Sequence, residues 1–544
     1  MAVCVLAILL FAWTFTYRFN TLGGRFGGFE DDHFVSFAYA KQVEAGAQPL
    51  RDFAGLGLQG AWPSLTYEAS AAAQRWLGDN LRSEALLTVT GLSVAMALTF
   101  LAGASVSNAA WAFVATLLSV FVAPTLYNYT KVLSLAGAAL SIVWYARRPT
   151  LGTAAANAGI TAVAFLFRHD LAAYVGTGAL IASLTIGPGR LRWRNTAAYL
   201  LFTLALLTPS LIYVQHYDGV ITYLRDGLAL SQREAERTPL LSWPTFTFGA
   251  PGFFAVESNA TAWLFYMTWL LPALTLILVW LPQDDRDRRV RPALIALAVT
   301  TVFASRFMIR GNVTARLGDV GPLFAVLLAF VCDAVTRPRP RDTAWRRITR
   351  FVPVLVLLAG TTLSAATIGS VASQLRTARL TGYLQDAVQH MQRISRDLQA
   401  DPQTAVNAVQ EGDVLLLAQY LSRCIAPNDR VVLMAYRPEL LPFAGRLFGA
   451  GRLSIIPAYV LDERHQREAV AWWQRESVPV ALVGFEAFYD PSSNLAPVMR
   501  DYLLAHYADA GIAEKREGQP LRLFVRRDLT PTSWFGSARL PCLR

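Results

Sequence analysis

Glu30, Asp31, Asp32 and His33 stand in a row near the start of this chain, and they are the residues best equipped for chemistry. Three adjacent carboxylates repel one another, which is costly near a membrane surface unless a cation or a substrate offsets it. The functional reading is a catalytic base at Asp31 or Asp32, with a divalent metal ion at Asp32 and His33 as a variant of it. The structural reading is a solvated acidic turn that caps a helix starting near Phe34. Further on come Arg51 and Asp52, then Gly55, Gly57 and Gly60. The glycines match G-x-G-x-x-G, but no strand precedes them, so a flexible or close-packed loop accounts for them better than a dinucleotide site.

Two more charged groups interrupt apolar sequence. Arg168-His169-Asp170 forms a tight turn between two apolar runs, and Arg306, Arg310, Arg316 and Asp319 lie between two others. Arginine binds phosphate through paired, charge-assisted hydrogen bonds, which makes Arg168, Arg306, Arg310 and Arg316 candidate phosphate ligands. Arg-Asp pairs that lock helix ends together are the competing reading. The stretch 215–260 mixes Tyr217, Tyr223, Trp243 and Phe246 with Arg233, Glu234, Glu236 and Arg237. It reads equally as a lid over a site or as an interfacial helix.

The elements that must position these residues follow from composition. Of 544 residues, 54% are apolar and 16% charged. Apolar runs fall at roughly 3–18, 84–103, 109–126, 131–146, 151–167, 171–187, 196–214, 261–281, 292–305, 320–336 and 351–371. Such runs are membrane-spanning helices that satisfy their own backbone polar groups in lipid. The first, Val3 to Tyr17, lacks a basic lead and an A-x-A-like cleavage site, so it reads as an uncleaved span. The net charge of +11 does not indicate a nucleic-acid face, because much of the arginine excess sits in short loops between the runs. Arg147-Arg148, Arg190 to Arg194, Arg286 to Arg291 and Arg337 to Arg350 all fall in alternate loops, and only the loop near Ser107 is uncharged. The positive-inside rule places those loops in the cytosol. The loops at 19–83 and 215–260 and everything after residue 371 then lie outside.

After about residue 372 the pattern changes. Residues 373–423 read as helical. Val431 to Ala435, Leu453 to Ile456, Val480 to Val483 and Leu521 to Val525 read as strands, and Gln466 to Arg475 and Ala496 to Tyr507 as helices. This is a small α/β domain. Of the four cysteines, Cys424 and Cys542 belong to it and could pair in an oxidising compartment.

The stretch Asp31-Asp32-His33-Phe34, Tyr39-Ala40, Gly46, Pro49 and Asp52-Phe53 resembles the first outer loop of the GT-C glycosyltransferases. It is most similar to the polyprenyl-phosphate-sugar-dependent branch, which includes protein mannosyltransferases and aminoarabinose transferases. Gly78 with Leu81-Arg82, and Ala444-Gly445-Arg446 in the outer domain, also fit that layout. The family's usual Asp-Glu pair is Asp31-Asp32 here, which leaves open which acid is the base. The resemblance implies a GT-C-like all-α polytopic membrane domain over 1–371, with about eleven transmembrane helices. A small extracytoplasmic α/β domain over 372–544 follows it.

The function implied is transfer of a sugar from a polyprenyl-phosphate donor to a hydroxyl of a glycan, lipid or protein acceptor. It takes place at the outer face of the cytoplasmic (inner) membrane, among membrane lipids and without nucleic acid. Arg51, Asp52, Arg168, Asp170, Arg306, Arg310 and Arg316 are the substrate- and phosphate-binding candidates. The alternatives are a transporter or flippase of a lipid-linked sugar, and a non-enzymatic membrane protein whose α/β domain binds a ligand.

The charge pattern makes a topology prediction. Single cysteines placed at Arg190 and Arg288 are expected to react with an impermeant thiol reagent only after lysis, and those at Asp52 and Asp490 in intact cells. Labelling of position 490 only after lysis overturns the orientation.

Overall fold

The computed structural model describes all residues except 25, 55–63, 123, 238–242, 250–251, 282–284, 307, 309–311, 338–343, 408–414, 457–461 and 515–519. The glycine motif at Gly55, Gly57 and Gly60 lies outside the described residues, as does Arg310.

Each of the eleven apolar runs falls on a helix. These are Ala2–Asn20, Leu81–Val106, Ala109–Phe121, Tyr129–Arg147, Leu151–Phe167, His169–Thr185, Gly189–Tyr217, Glu257–Trp280, Asp285–Arg306, Gly321–Thr336 and Ala344–Ile368. Among the described residues, six helical stretches are long and apolar enough to cross a membrane, and they end at Asn20, Val106, Tyr217, Trp280, Thr336 and Ile368. Ala109–Phe121 and Leu151–Phe167 are apolar but shorter. That the other helices also span is a proposal.

Local chemistry starts and bends these helices. Asn108 Oδ1 accepts from the Trp111 amide at 3.0 Å and caps Ala109–Phe121. Thr150 and Thr153 form a reciprocal capping box at the start of Leu151–Phe167. Pro209, Pro272, Pro292 and Pro353 sit inside helices, as membrane helices tolerate when neighbours re-satisfy the freed carbonyls.

The chain divides into two compact units. The first holds Met1–Leu22, Thr88–Leu211 and Thr238–Ile394. Its helices pack closely through small residues. A Cβ added at Gly178 would lie 2.2 Å from Thr300 Oγ1, so only glycine lets His169–Thr185 approach Asp285–Arg306 this closely.

The second unit holds Gly23–Leu87, Ile212–Arg237 and Ser395–Arg544. It contains a five-stranded sheet: β1 (Arg430–Met434), β2 (Leu447–Phe448), β3 (Val480–Val483), β4 (Tyr507–Glu514) and β5 (Leu521–Arg526). The order is β2-β1-β3-β5-β4, with β1 parallel to β2 and β3, and with β5 antiparallel to β3 and β4. Val431 to Met434 and Val480 to Val483 are buried on both faces, as central parallel strands require. Trp473, from the helix Glu463–Arg475, is buried against this sheet. Its indole donates to the Tyr507 hydroxyl at 2.6 Å, which donates on to the Val478 carbonyl at 2.7 Å.

Two expectations differ here. Leu453 to Ile456 is not a strand; Ile455 donates one bond to the Leu433 carbonyl at 2.8 Å, and the neighbouring strand is the shorter β2. The strand β4 has no counterpart in the sequence reading. Its Ala, Asp and Gly content carries little β-propensity, and it pairs with β5 through register shifts between Asp509 and Ile512 and between Ile512 and Glu514.

The chain end is tied down. Leu540–Cys542 pairs with Ser533–Phe535, the Tyr420 hydroxyl donates to the Pro541 carbonyl at 2.8 Å, and Cys424 and Cys542 form a disulfide. This bridge closes a loop of 118 residues in sequence, which loop entropy values at about 4–5 kcal/mol. Alkylation of the denatured, non-reduced protein is expected to modify Cys4 and Cys332 only, and Cys424→Ser with Cys542→Ser to lower the unfolding temperature. Four modified thiols in the non-reduced chain contradict the pairing.

Candidate functional site

The acidic motif opens a helix. Asp31–Glu44 begins with Glu30 in the N-cap position, without a side-chain cap bond, so the acidic motif opens the helix at the positive end of its dipole. Phe34, Val35, Phe37 and Ala38 are buried and seat the helix in the second unit. Phe34 packs on Phe443 at 5.7 Å between ring centroids, and Gln42 Nε2 donates to the Phe448 carbonyl at 3.0 Å.

His33 faces inward. Its Nε2 lies 3.1 Å from Glu84 Oε2, and both side chains are almost wholly buried. Glu84 also accepts from Gln74 Nε2 at 2.7 Å and from the Ser70 hydroxyl. Phe29 stacks on the imidazole at 4.1 Å. His33 Nδ1 is buried with no hydrogen-bond partner among the described residues. The motif thus hangs on a carboxylate, a hydroxyl and an amide that come from the helices Leu65–Leu77 and Leu81–Val106.

Asp32 Oδ1 accepts a hydrogen bond from the Tyr436 hydroxyl. Arg51 and Asp52 pair with each other: Arg51 Nε and the Gln48 amide each donate to Asp52 Oδ2 at 2.7 Å. Burial pushes the Asp52 carboxyl up, but those two bonds outweigh it and hold the carboxyl below its usual range.

The first unit carries the other charged set. Arg168 joins Leu151–Phe167 to His169–Thr185 and binds Asp170 with both ends of its fork, Nε to Oδ1 at 3.0 Å and Nη2 to Oδ2 at 2.8 Å. Lys131 Nζ lies 3.0 Å from Asp319 Oδ2, with side chains 8% and 3% exposed. Asp319 interacts electrostatically with Arg168 and Arg316 as well, and Lys131 with Arg168 and Asp170. Asp319 Oδ1 is buried with no hydrogen-bond partner among the described residues. Arg168, Asp170 and Arg316 therefore belong to one electrostatic cluster, built around a lysine that the sequence reading passed over. Arg306 ends its helix and is exposed.

Glu84, Lys131 and Tyr436 are the residues sequence reasoning missed. Glu84 and Lys131 had a signal, since each is a lone charge at the start of an apolar run, and ionisable residues there mark function. Tyr436 had none.

His33 Nε2 is turned to Glu84, Asp32 Oδ1 is bonded to Tyr436, and among the described residues no three His, Cys, Asp or Glu side chains are grouped as metal ligands.

The chain matches no family model and no curated protein. It is similar to solved structures of the Archaeoglobus fulgidus oligosaccharyltransferase. The form tethered by a disulfide to an acceptor peptide with the NVT sequon aligns at TM-score 0.42 and 11% identity, over 93% of this chain and 72% of that one. The apo form aligns at 0.41 and 11%, over the same shares. The complex with Zn and sulfate aligns at 0.39 and 10%, over 96% and 73%. TM-scores below 0.5 do not establish a shared fold.

The buried Lys131–Asp319 pair makes a stability prediction. Lys131→Met and Asp319→Leu are each expected to cost about 3–5 kcal/mol, because either leaves a buried charge alone, and the double variant to regain most of it. Thermal unfolding of the purified protein in detergent measures this. A double variant as unstable as the sum of the singles removes the pair.

Proposed function

We propose that this chain is an integral-membrane glycosyltransferase of the GT-C kind. One observation carries the reading: a buried Lys131–Asp319 pair, with the partly exposed Arg168, Asp170 and Arg316 interacting with it, lies at the ends of apolar helices. Burying such a pair is costly, and membrane proteins bear that cost where a charged substrate passes or binds. The resemblance of the Asp31-Asp32 segment to the GT-C first loop supplies the reaction.

The donor is a sugar on a polyprenyl phosphate, delivered from the lipid. Asp31 accepts the proton of the acceptor hydroxyl as its oxygen attacks the anomeric carbon. The bond from that carbon to the phosphate oxygen breaks in line, and polyprenyl phosphate leaves with the electron pair. Negative charge grows on the phosphate, where arginines stabilise it through charge-assisted bonds. Arg51 and Asp52 contact the sugar. The base supplies a factor of roughly 10²–10⁴, and phosphate stabilisation the rest. The reaction takes place at the outer face of the inner membrane, with the α/β domain on the same side.

A transporter of lipid-linked sugar is the second reading, favoured by the buried Lys131–Asp319 pair. One variant separates them. Asp31→Asn keeps the shape but cannot take a proton. With radiolabelled polyprenyl-phosphate sugars in membrane extracts, it is expected to bind donor and lose at least ~10²-fold in turnover. Full turnover in Asp31→Asn, in Asp32→Asn and in the double variant sinks the transferase reading of this loop.

A further inference from the structure

Asp31 and Asp32 are chemically equivalent in sequence, and a base needs one of them singled out. The second unit gives Asp32 a partner from the α/β sheet. From β1 the chain turns to β2 on one side, and from β2 it crosses to β3 on the other. The segment after β1 therefore lies at a topological switch point, where open sheets of this type leave a crevice at the carboxyl ends of their strands. Tyr436 is two residues past the end of β1, in that segment. The segment is braced: Arg437 is buried and pairs with Glu439, and its Nη1 binds Glu514 on β4 at 2.6 Å.

The helix that carries the acids is braced against the same sheet. Arg430, the first residue of β1, donates from Nη1 to Gln42 Oε1 at 2.9 Å, and Gln42 bonds the carbonyl of Phe448 in β2. Phe26 and Phe34 pack on Phe443, between β1 and β2. Both ends of the Tyr436–Asp32 hydrogen bond are thus fixed by packing that neither residue makes itself.

We infer that Tyr436 is a positioning residue that ties Asp32 to the carboxyl edge of the sheet and leaves the proton transfer to Asp31. The inference rests on the transferase reading and deepens it, since it makes the α/β domain a working part of the site. A phenol that donates to one oxygen of a carboxylate spreads its charge and fixes its rotamer. Holding Asp32 this way lets two neighbouring acids divide their roles, one oriented and one reactive. It also explains why a soluble α/β domain shares one compact unit with the first outer loop.

The test is a double-mutant cycle on the full-length protein, read in two ways. The first reading is unfolding temperature in detergent, which needs no substrate. Tyr436→Phe and Asp32→Asn are each expected to lower it, and the double variant to lie no lower than the worse single. Additive losses overturn the contact. The second reading is turnover with radiolabelled polyprenyl-phosphate sugar. Tyr436→Phe is expected to lower kcat about tenfold with donor KM unchanged, as an interaction felt mainly in the transition state does. It is expected to lower kcat no further in an Asp32→Asn background. Full kcat in Tyr436→Phe, or a further tenfold loss in that background, overturns the positioning role. Coupled unfolding temperatures with a wild type that transfers no sugar would instead remove the transferase reading, and this assignment with it, while the contact stands.

Discussion

The carboxylate of Glu84 is the constraint on which the segment 23–87 depends. A carboxylate taken out of water is stable only if donors surround it. Glu84 draws them from three places: the Ser70 hydroxyl, the Gln74 amide and His33 Nε2. Each partner lies on a helix that would otherwise have few reasons to converge. Serine and glutamine belong to Leu65–Leu77, the histidine to the acidic helix, and the glutamate to the opening turn of a long apolar helix. Satisfying one buried charge therefore orients the helix that carries Asp31 and Asp32. Phe29, stacked on the imidazole, keeps water from competing for the same bonds.

The α/β sheet meets a different demand. Its central strands are buried on both faces, so every neighbour must supply apolar cover. Trp473 and the helices Glu463–Arg475 and Pro497–His506 cover one side. The aromatic residues Tyr39 and Phe53 of the segment 23–87 pack against Phe448 of β2. The helix Val220–Arg237 joins by its polar side, where Asp226 pairs with Arg464 and lies 3.3 Å from His465 Nε2. Tyr223 on that helix is buried, while Ile221, Leu224 and Leu228 are exposed along the other side. One face bound to protein and one apolar face left open is the arrangement an interfacial helix needs.

What could be read from sequence follows the range of the physics involved. The eleven helices under the apolar runs were legible because hydrophobic continuity is local. Cys424 and Cys542 were legible as a pair because the domain holds only those two. The acidic motif was legible as a cluster because its members are adjacent. Its supports were not: Glu84 lies 51 residues from His33, Lys131 lies 188 from Asp319, and Tyr436 lies 404 from Asp32. Nothing in a single sequence links positions so far apart, since each pairing is decided by packing. The edge strand β4 failed for the opposite reason. Its residues have weak intrinsic preference, and β5 supplies the hydrogen bonds that make it a strand.

The charged residues share a further property: the ones that chemistry would use are already paired. Arg168 holds Asp170 with both ends of its fork, Lys131 holds Asp319, and Arg51 holds Asp52. An unpaired cation at the level of lipid headgroups would collect any phosphate that diffused past. A cation with an internal carboxylate yields it only to an anion that gives back more than the internal pair did. A phosphodiester can accept the same two bonds from a guanidinium fork, and a departing phosphate monoester adds a third acceptor oxygen and charge. Either does best where a second cation is near. The Arg168 pair has one in Lys131, whose own partner Asp319 also feels Arg316.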